Sequence, residues 1–556
     1  MRKKGSPSRC ADLTDRQTAF DFGMAVAPSA PAAISRRGLL AIASLFLAFF
    51  SAGLFVLWQC PPVWRGYDGF IQINFPPDDF TILQYPAAYP LFSRLHLYAT
   101  QIAEGRRAHG KHHKAGIDIR KPVPFDDTAI SVLLTSQEFL LAVALTGFVV
   151  SVARSALARA FAALLLISDA TFFLSADMIG GEALSAILLV SLAALGFQIF
   201  RADRLSGGMI AGFAALFYAA ILTRHEDATF AGLLPLAFLF SGLLARRGGA
   251  NGPGVGAWRA TAWKRGALLA GVGVFCLAMS ALTTRILCRV FDVPYRSTSP
   301  RRTSERLGFV DQMTADEKSS YLAGLQSRTN DPIVRELIPR LARNAGWADQ
   351  RAEIESVLLA HSPGWEPEAL HVEADRYLEL VSSLFFVTLN RHLVAGTVQG
   401  IWKGLISVSP ASVSRFYLWA AAGTIDIFAA TPYMARTARG LVCCAAEAKP
   451  RLLAFREHWW TRLWGLPNAA FLLAVAIGSG LLLRRKIGPP WSAIYALALA
   501  LTGLTVTVLA LLFTDLQPRF TVNLGFCAFL ALAMLAAAGI DAAESGKGAA
   551  VALPSD

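Results

Sequence analysis

Apolar residues in this chain fall in long blocks rather than in alternation. About ten stretches approach the roughly 20 residues needed to cross a bilayer core: 38–58, 129–150, 157–176, 182–200, 208–223, 227–244, 266–288, 468–484, 490–513 and 519–540. The short alternating strands of a membrane β-barrel are missing. The pattern therefore predicts an all-α, polytopic transmembrane bundle. The polar blocks divide it. Residues 1–37 read as a disordered tail, rich in Ser, Pro and Ala. A transmembrane core, 38–288, contains a long loop at 59–128. An insert at 289–466 separates it from C-terminal spans at 467–540, and a tail covers 541–556.

The insert carries helix signals of its own. Thr314–Glu317, "TADE", has the form of a capping box. Asp331–Pro332 is an N-cap followed by proline at the first helical position. Stretches 379–409 and 414–435 are apolar enough to lie on or in a membrane. "HWWTRLW", His458–Trp464, has the composition of an interfacial anchor before the next span.

Composition supports a membrane protein: 54% of residues are hydrophobic and 16% charged. The net charge of +13 is explained by loops flanking spans. Arg154, Arg201, Arg204, Arg246, Arg247, Lys264, Arg265, Arg484 and Arg485 occupy one set of short loops. The opposite set holds Arg224 and Arg519 beside Asp177, Glu182, Glu226, Asp227 and Asp515. The positive-inside rule places the first set, and both termini, in the cytoplasm. The basic run "GRRAHGKHHK", Gly105–Lys114, lies in the long first loop, and long loops escape the rule. Its histidines, His109, His112 and His113, read as a solvated loop.

Other classes recede. No nucleic-acid-binding motif accompanies the positive charge. No Walker loop or dinucleotide fingerprint is present, so no nucleotide cofactor is expected. The seven cysteines are scattered without CxxC spacing, and Cys276 and Cys527 lie inside apolar blocks as packing residues. No small-residue cleavage site follows Gly38–Trp58, which reads as an uncleaved first span.

Candidate chemistry collects on the extracytoplasmic side. Asp68, Asp78 and Asp79 follow the first span; Asp177 and Glu182 bracket the turn "MIGG"; Arg224, His225, Glu226 and Asp227 are consecutive; Asp515 and Arg519 precede the last span. Ionisable residues at span ends are costly and are often functional. A carboxylate there can deprotonate an attacking hydroxyl. Arginine can grip a phosphate with parallel hydrogen bonds and stabilise it as it departs. That pairing suits sugar transfer from a lipid phosphate. Structural roles account for the same residues: a turn at Asp78–Asp79 after two prolines, a local ion pair at Arg224, snorkelling at Arg519, and a hydrogen-bonded Asp169.

Several segments share a family's pattern. Asp68 is followed by "YPAAYPLFSRL" (Tyr85–Leu95), an aspartate ahead of a proline- and tyrosine-rich start to an amphipathic helix. "ADMIGGEALSAILL" (Ala176–Leu189) carries an acidic turn, "AAILTRHEDATF" (Ala219–Phe230) an arginine between spans, and "DLQPRFTVNLGFCAFLAL" (Asp515–Leu532) a proline-arginine-aromatic start to a late span. In this the chain resembles the GT-C superfamily of integral-membrane glycosyltransferases. "LNRHLVAGTVQGIWKGLI" (Leu389–Ile406) is similar to an amphipathic helix of some members. The acidic pair comes later than in members where it directly follows the first span.

The resemblance implies a polyprenyl-phosphate-linked sugar donor, a glycan, lipid or protein acceptor, and a bacterial inner membrane with the site facing outward in the cell envelope. It assigns the base to Asp68, with Asp78 and Asp79 as alternatives, and the lipid phosphate to Arg224, His225 and Arg519. Glu182, Asp177, Tyr85 and Tyr89 are further site candidates. Metal use varies among members, and a divalent metal is compatible with this one. Two rivals stand beside this reading. A lipid or solute transporter would also line a cavity with charge. A non-catalytic scaffold would tolerate loss of the acidic residues.

Overall fold

The computed structural model describes residues 36–59, 63–64, 86–109, 127–247, 253–292, 310–311, 313–343, 347–387, 391–413, 415–417, 465–485, 490–513 and 521–551. Among them the chain is helical almost throughout. The membrane part comprises α1 (Arg36–Gln59), α2 (Ala88–His109), α3 (Asp127–Val152), α4 (Ala156–Ile167), α5 (Ala170–Ala176), α6 (Gly181–Arg201), α7 (Gly207–Ile221), α8 (Leu233–Arg247) and α9 (Pro253–Val290). The insert contributes α10 (Ala315–Gln326), α11 (Pro332–Leu341), α12 (Trp347–His361), α13 (Pro367–Val387) and α14 (Arg391–Ile406); α15 (Asn468–Arg485), α16 (Pro490–Phe513) and α17 (Val522–Val551) complete the chain. One short parallel pairing, β1 (Val63–Trp64) with β2 (Met178–Ile179), matches Val63 to Met178 and Trp64 to Ile179.

Seven described helices are long and apolar enough to cross a membrane, or up to eight if a bent pair counts as one. This makes the chain an integral membrane protein with an all-α helical core. Each of the seven overlaps a predicted span. The other three predicted spans differ from plain helices. The stretch at 157–176 breaks at Ser168–Asp169, where α4 and α5 meet at 64°. Asp169 causes the break: its carboxylate accepts from Thr171 N at 3.0 Å and caps α5. Those at 208–223 and 468–484 form the shorter apolar helices Gly207–Ile221 and Asn468–Arg484. The span expected at 227–244 opens instead with a 3-10 turn, His225–Gly232, ahead of α8.

The helices bury a continuous apolar core. Phe46 and Phe50 on α1 pack edge-on against Phe139 of α3, with centroids 5.2 and 6.0 Å apart. Phe172 of α5 stacks on Phe526 of α17 at 4.3 Å. Where α16 meets α17, Gly503 lets the backbones close: a Cβ there would lie 2.7 Å from Cys527 Cβ and 3.1 Å from the Asn523 carbonyl. Cys276 and Cys527 are buried thiols in this core, as their apolar surroundings predict.

The two ends of the bundle differ in charge. At one end Asp541 of α17 accepts from Arg154 N and Ser155 N, both at 2.8 Å. Arg201 reaches the Ser151 carbonyl at 3.3 Å, and Arg265 reaches that of Ala202 at 2.6 Å. At the other end α6 begins and α7 finishes, and the acidic residues gather there.

Helices α10 to α13 form a second, smaller core around Leu337, Ile338, Leu341, Ile354 and Val381. The predicted caps are present. Thr314 and Glu317 exchange both bonds of a capping box, and Asp331 accepts from Ile333 N and Val334 N. The stretch 379–409 resolves into the end of α13 and α14, neither a candidate span; most of 414–435 and all of 458–464 lie outside the described residues.

Candidate active site

The site is assembled from the turn between α5 and α6. The chain leaves α5 at Asp177, pairs Met178–Ile179 with Val63–Trp64, and starts α6 at Gly181 with Glu182 in its first turn. A carboxylate in that position faces the positive end of the helix dipole. The β pairing ties the beginning of the first loop to this acidic turn. On another side, Ala88 N donates to the Leu222 carbonyl at 2.7 Å, which holds the start of α2 against the end of α7.

Tyr89 is thereby sealed inside. Its hydroxyl donates to Gln137 Oε1 at 3.1 Å, and Gln137 donates onward to the carbonyls of Ala176 and Met178 at 2.5 and 3.1 Å. One glutamine of α3 thus fixes both edges of the acidic turn and the aromatic head of α2. Glu182 lies close enough to couple electrostatically to Tyr89 and to Arg224.

Arg224 is the centre of charge. It is the residue before the 3-10 turn, and only 9% of its surface is exposed. Its Nε lies 3.6 Å from Glu226 Oε2. Asp227 also couples to it, as does the phenol of buried Tyr417. Asp227 is held separately: Ser185 of α6 donates to Oδ2 at 2.7 Å, and Asn523 of α17 donates to Oδ1 at 3.4 Å. Three elements distant in sequence converge on one carboxylate.

A second acidic pair adjoins. Asp177 and Glu138 are buried and couple electrostatically. None of their four carboxyl oxygens has a hydrogen-bond partner among the described residues. Glu138 points at α1, where a Cβ on Gly53 would collide with its carboxyl group.

The structure therefore brings together Tyr89, Asp177, Glu182 and Arg224, and places His225 beside them on the exposed face of the 3-10 turn. Asp68, Asp78, Asp79, Tyr85 and Arg519 lie outside the described residues. Arg224 sits among carboxylates rather than alone: Glu226 lies nearest, on the Nε side, and Glu182 and Asp227 couple to it. Sequence reasoning missed Gln137, Glu138, Ser185, Tyr417 and Asn523. Glu138 was detectable as the single charge inside an apolar block; the rest are ordinary polar residues until the helices are packed.

Among the described residues no three His, Cys, Asp or Glu side chains are arranged to hold a metal ion. The arrangement can bind several hydroxyls through carboxylates and can offer one cation to an anion. No protein-family model matches the chain, and no curated protein is similar to it.

Proposed function

We propose that this protein is a membrane glycosyltransferase that moves a sugar from a polyprenyl-phosphate donor to an extracytoplasmic acceptor. The observation that carries the reading is buried Arg224 among Glu182, Glu226 and Asp227, at the bundle end where the first loop is tied to the acidic turn. Carboxylates suit a sugar's hydroxyls. The arginine suits the phosphate, which its planar fork of N–H donors can grip.

In the proposed reaction the acceptor oxygen attacks the anomeric carbon with inversion. Its proton passes to Asp68, with Asp78 and Asp79 as alternatives. The bond from that carbon to the phosphate oxygen breaks, and the electron pair leaves on the polyprenyl phosphate. Arg224, with His225 and Arg519, stabilises the growing negative charge. Glu182 and Asp227 hold Arg224 in place between turnovers.

Purified protein in liposomes, offered a panel of polyprenyl-phosphate sugars, tests this. Wild type should release polyprenyl phosphate, and Asp68→Asn and Arg224→Lys should not. Release by Asp68→Asn equal to wild type moves the base to another carboxylate. No release with any donor by folded wild type rejects the reading.

A second reading is favoured by Glu138 within α3, whose carboxyl has no hydrogen-bond partner among the described residues, and by the broken helix pair α4–α5. Intramembrane carboxyls and discontinuous helices are features of transporters. The same liposomes distinguish it: donor translocated without release of polyprenyl phosphate, and lost in Glu138→Gln, would support transport.

A further inference from the structure

The basic end of the bundle, opposite the acidic site, gathers three guanidiniums around the end of α3. Arg201, the last residue of α6, donates from Nη1 to the Ser151 carbonyl at 3.3 Å. Arg159 of α4 donates from Nε to the Ala153 carbonyl at 3.2 Å. Arg154 follows the end of α3, and its guanidinium lies close enough to that of Arg201 to repel it. Carbonyls at a helix C-terminus attract cations, which accounts for one N–H of Arg201 and one of Arg159. The other donors of both forks, and all those of the Arg154 side chain, have no protein acceptor among the described residues.

One carboxylate, Asp541, stands at this turn, and both its oxygens are taken by the backbone N–H groups of Arg154 and Ser155 at 2.8 Å. Arg265, at the same end, is different: it reaches the carbonyls of Ala202 and Asp203 and has the Asp203 charge beside it. Leading up to Arg154, a strip of α3 faces outward. Val143 is 47% exposed, Gly147 has open space where a Cβ would stand, and Val150 is half-buried. They recur at helical spacing and share one face, with Arg154 at its end. Beside the strip, the Ser151 hydroxyl donates to the Gly147 carbonyl and accepts from Gln198 of α6, both at 2.7 Å. The polar groups there are satisfied, and the strip itself is apolar.

We propose that this corner between α3 and α6 binds an anionic phospholipid of the adjoining leaflet. Arg154 and Arg201 hold the phosphate between them, and one acyl chain lies along Val150, Gly147 and Val143. Charge complementarity selects the occupant. Two guanidiniums that repel each other are both stabilised by an anion placed between them, and a lipid headgroup is the anion at hand where a span meets the membrane surface. Arg159, folded back onto the end of α3, adds to the positive potential. The site is separate from Arg224 and its carboxylates and does not rest on sugar transfer.

The test uses full-length protein in nanodiscs of phosphatidylglycerol and phosphatidylcholine in equal parts with the same chains, read by native mass spectrometry of the lipid that stays bound. Wild type should retain phosphatidylglycerol over phosphatidylcholine by about ten-fold. Arg154→Gln with Arg201→Gln should bring the two lipids near parity. Arg484→Gln with Arg485→Gln removes the same charge from the end of α15 and should keep the wild-type preference. A photoactivatable phosphatidylglycerol should label peptides of α3 and α6. No preference in wild type, or labelling confined to other helices, would overturn the proposal without any variant. A preference that survives the loss of Arg154 and Arg201, or that falls equally with Arg484 and Arg485, would mean general attraction to the basic rim and overturn it too.

Discussion

Replacing Arg224 by methionine should destabilise the protein by more than the loss of its contacts. The side chain lies 3.6 Å from Glu226 and couples to Glu182 and Asp227, all in a nearly closed site. Methionine fills a similar volume but leaves those carboxylates uncompensated. Breaking a buried pair from one side costs about 3–5 kcal/mol, most of it the penalty on the abandoned charge. At roughly 2 °C per kcal/mol for a large chain, apparent Tm should fall by roughly 6–10 °C. The assay is thermal unfolding in detergent followed by size-exclusion chromatography. The same reasoning fixes a sign in the double variant: Arg224→Met with Asp227→Asn removes one charge of each kind and should recover part of the loss. A fall below about 1 °C, or strictly additive effects in the double variant, would refute the charge-balance account.

Other predictions follow from packing and charge. Gly503→Ala places a methyl 2.7 Å from Cys527 Cβ; it should cost about 1–3 kcal/mol and lower any activity, because Asn523 on the same helix holds Asp227. Gly196→Ala collides with the Tyr495 hydroxyl, which otherwise donates to the Ala193 carbonyl at 3.0 Å; it should be destabilising alone and much better tolerated with Tyr495→Phe, read as a double-mutant cycle in thermal unfolding. Thr314→Ala removes the capping box of α10 and should cost about 1 kcal/mol, seen as faster hydrogen exchange at the start of that helix. In the insert, the hydrogen bond from His361, and then Arg340, hold the Glu336 carboxyl below its ordinary value. Its stabilising contribution is therefore complete above the unfolded-state value of about 4.5 and is lost as pH falls through the lowered one. Exchange protection of α11 and α12 should drop in that acid window, and Glu336→Gln should flatten the change.

Long-range composition and short local signals were readable; convergence was not. Blocks of Leu, Ala, Val and Phe announced the helices, and Thr314 and Asp331 announced their caps, because each signal lies within one turn of what it controls. The break at Asp169 was concealed by apolar neighbours on both sides, since hydropathy averages over a bend. Arg224 and Glu182 were recognisable because charge at a span end is costly wherever it occurs. Gln137 and Asn523 were not. Their importance comes only from which helix faces them, and residue type carries no trace of that. Asp227 drew notice as one of four adjacent polar residues, yet its binding to Ser185 and Asn523 depends on packing among α6, the 3-10 turn and α17.

The pairing of Val63–Trp64 with Met178–Ile179 also sets an order of events in biogenesis. Between its two strands the chain must place α2, α3, α4 and α5. Helices form from local contacts and can enter the bilayer in succession, whereas a parallel pairing across that much chain forms only after the intervening segments have settled. The acidic turn and the first loop are thus joined late. A protein caught partway through insertion would hold its spans and lack its site, and the clasp would report that assembly is complete.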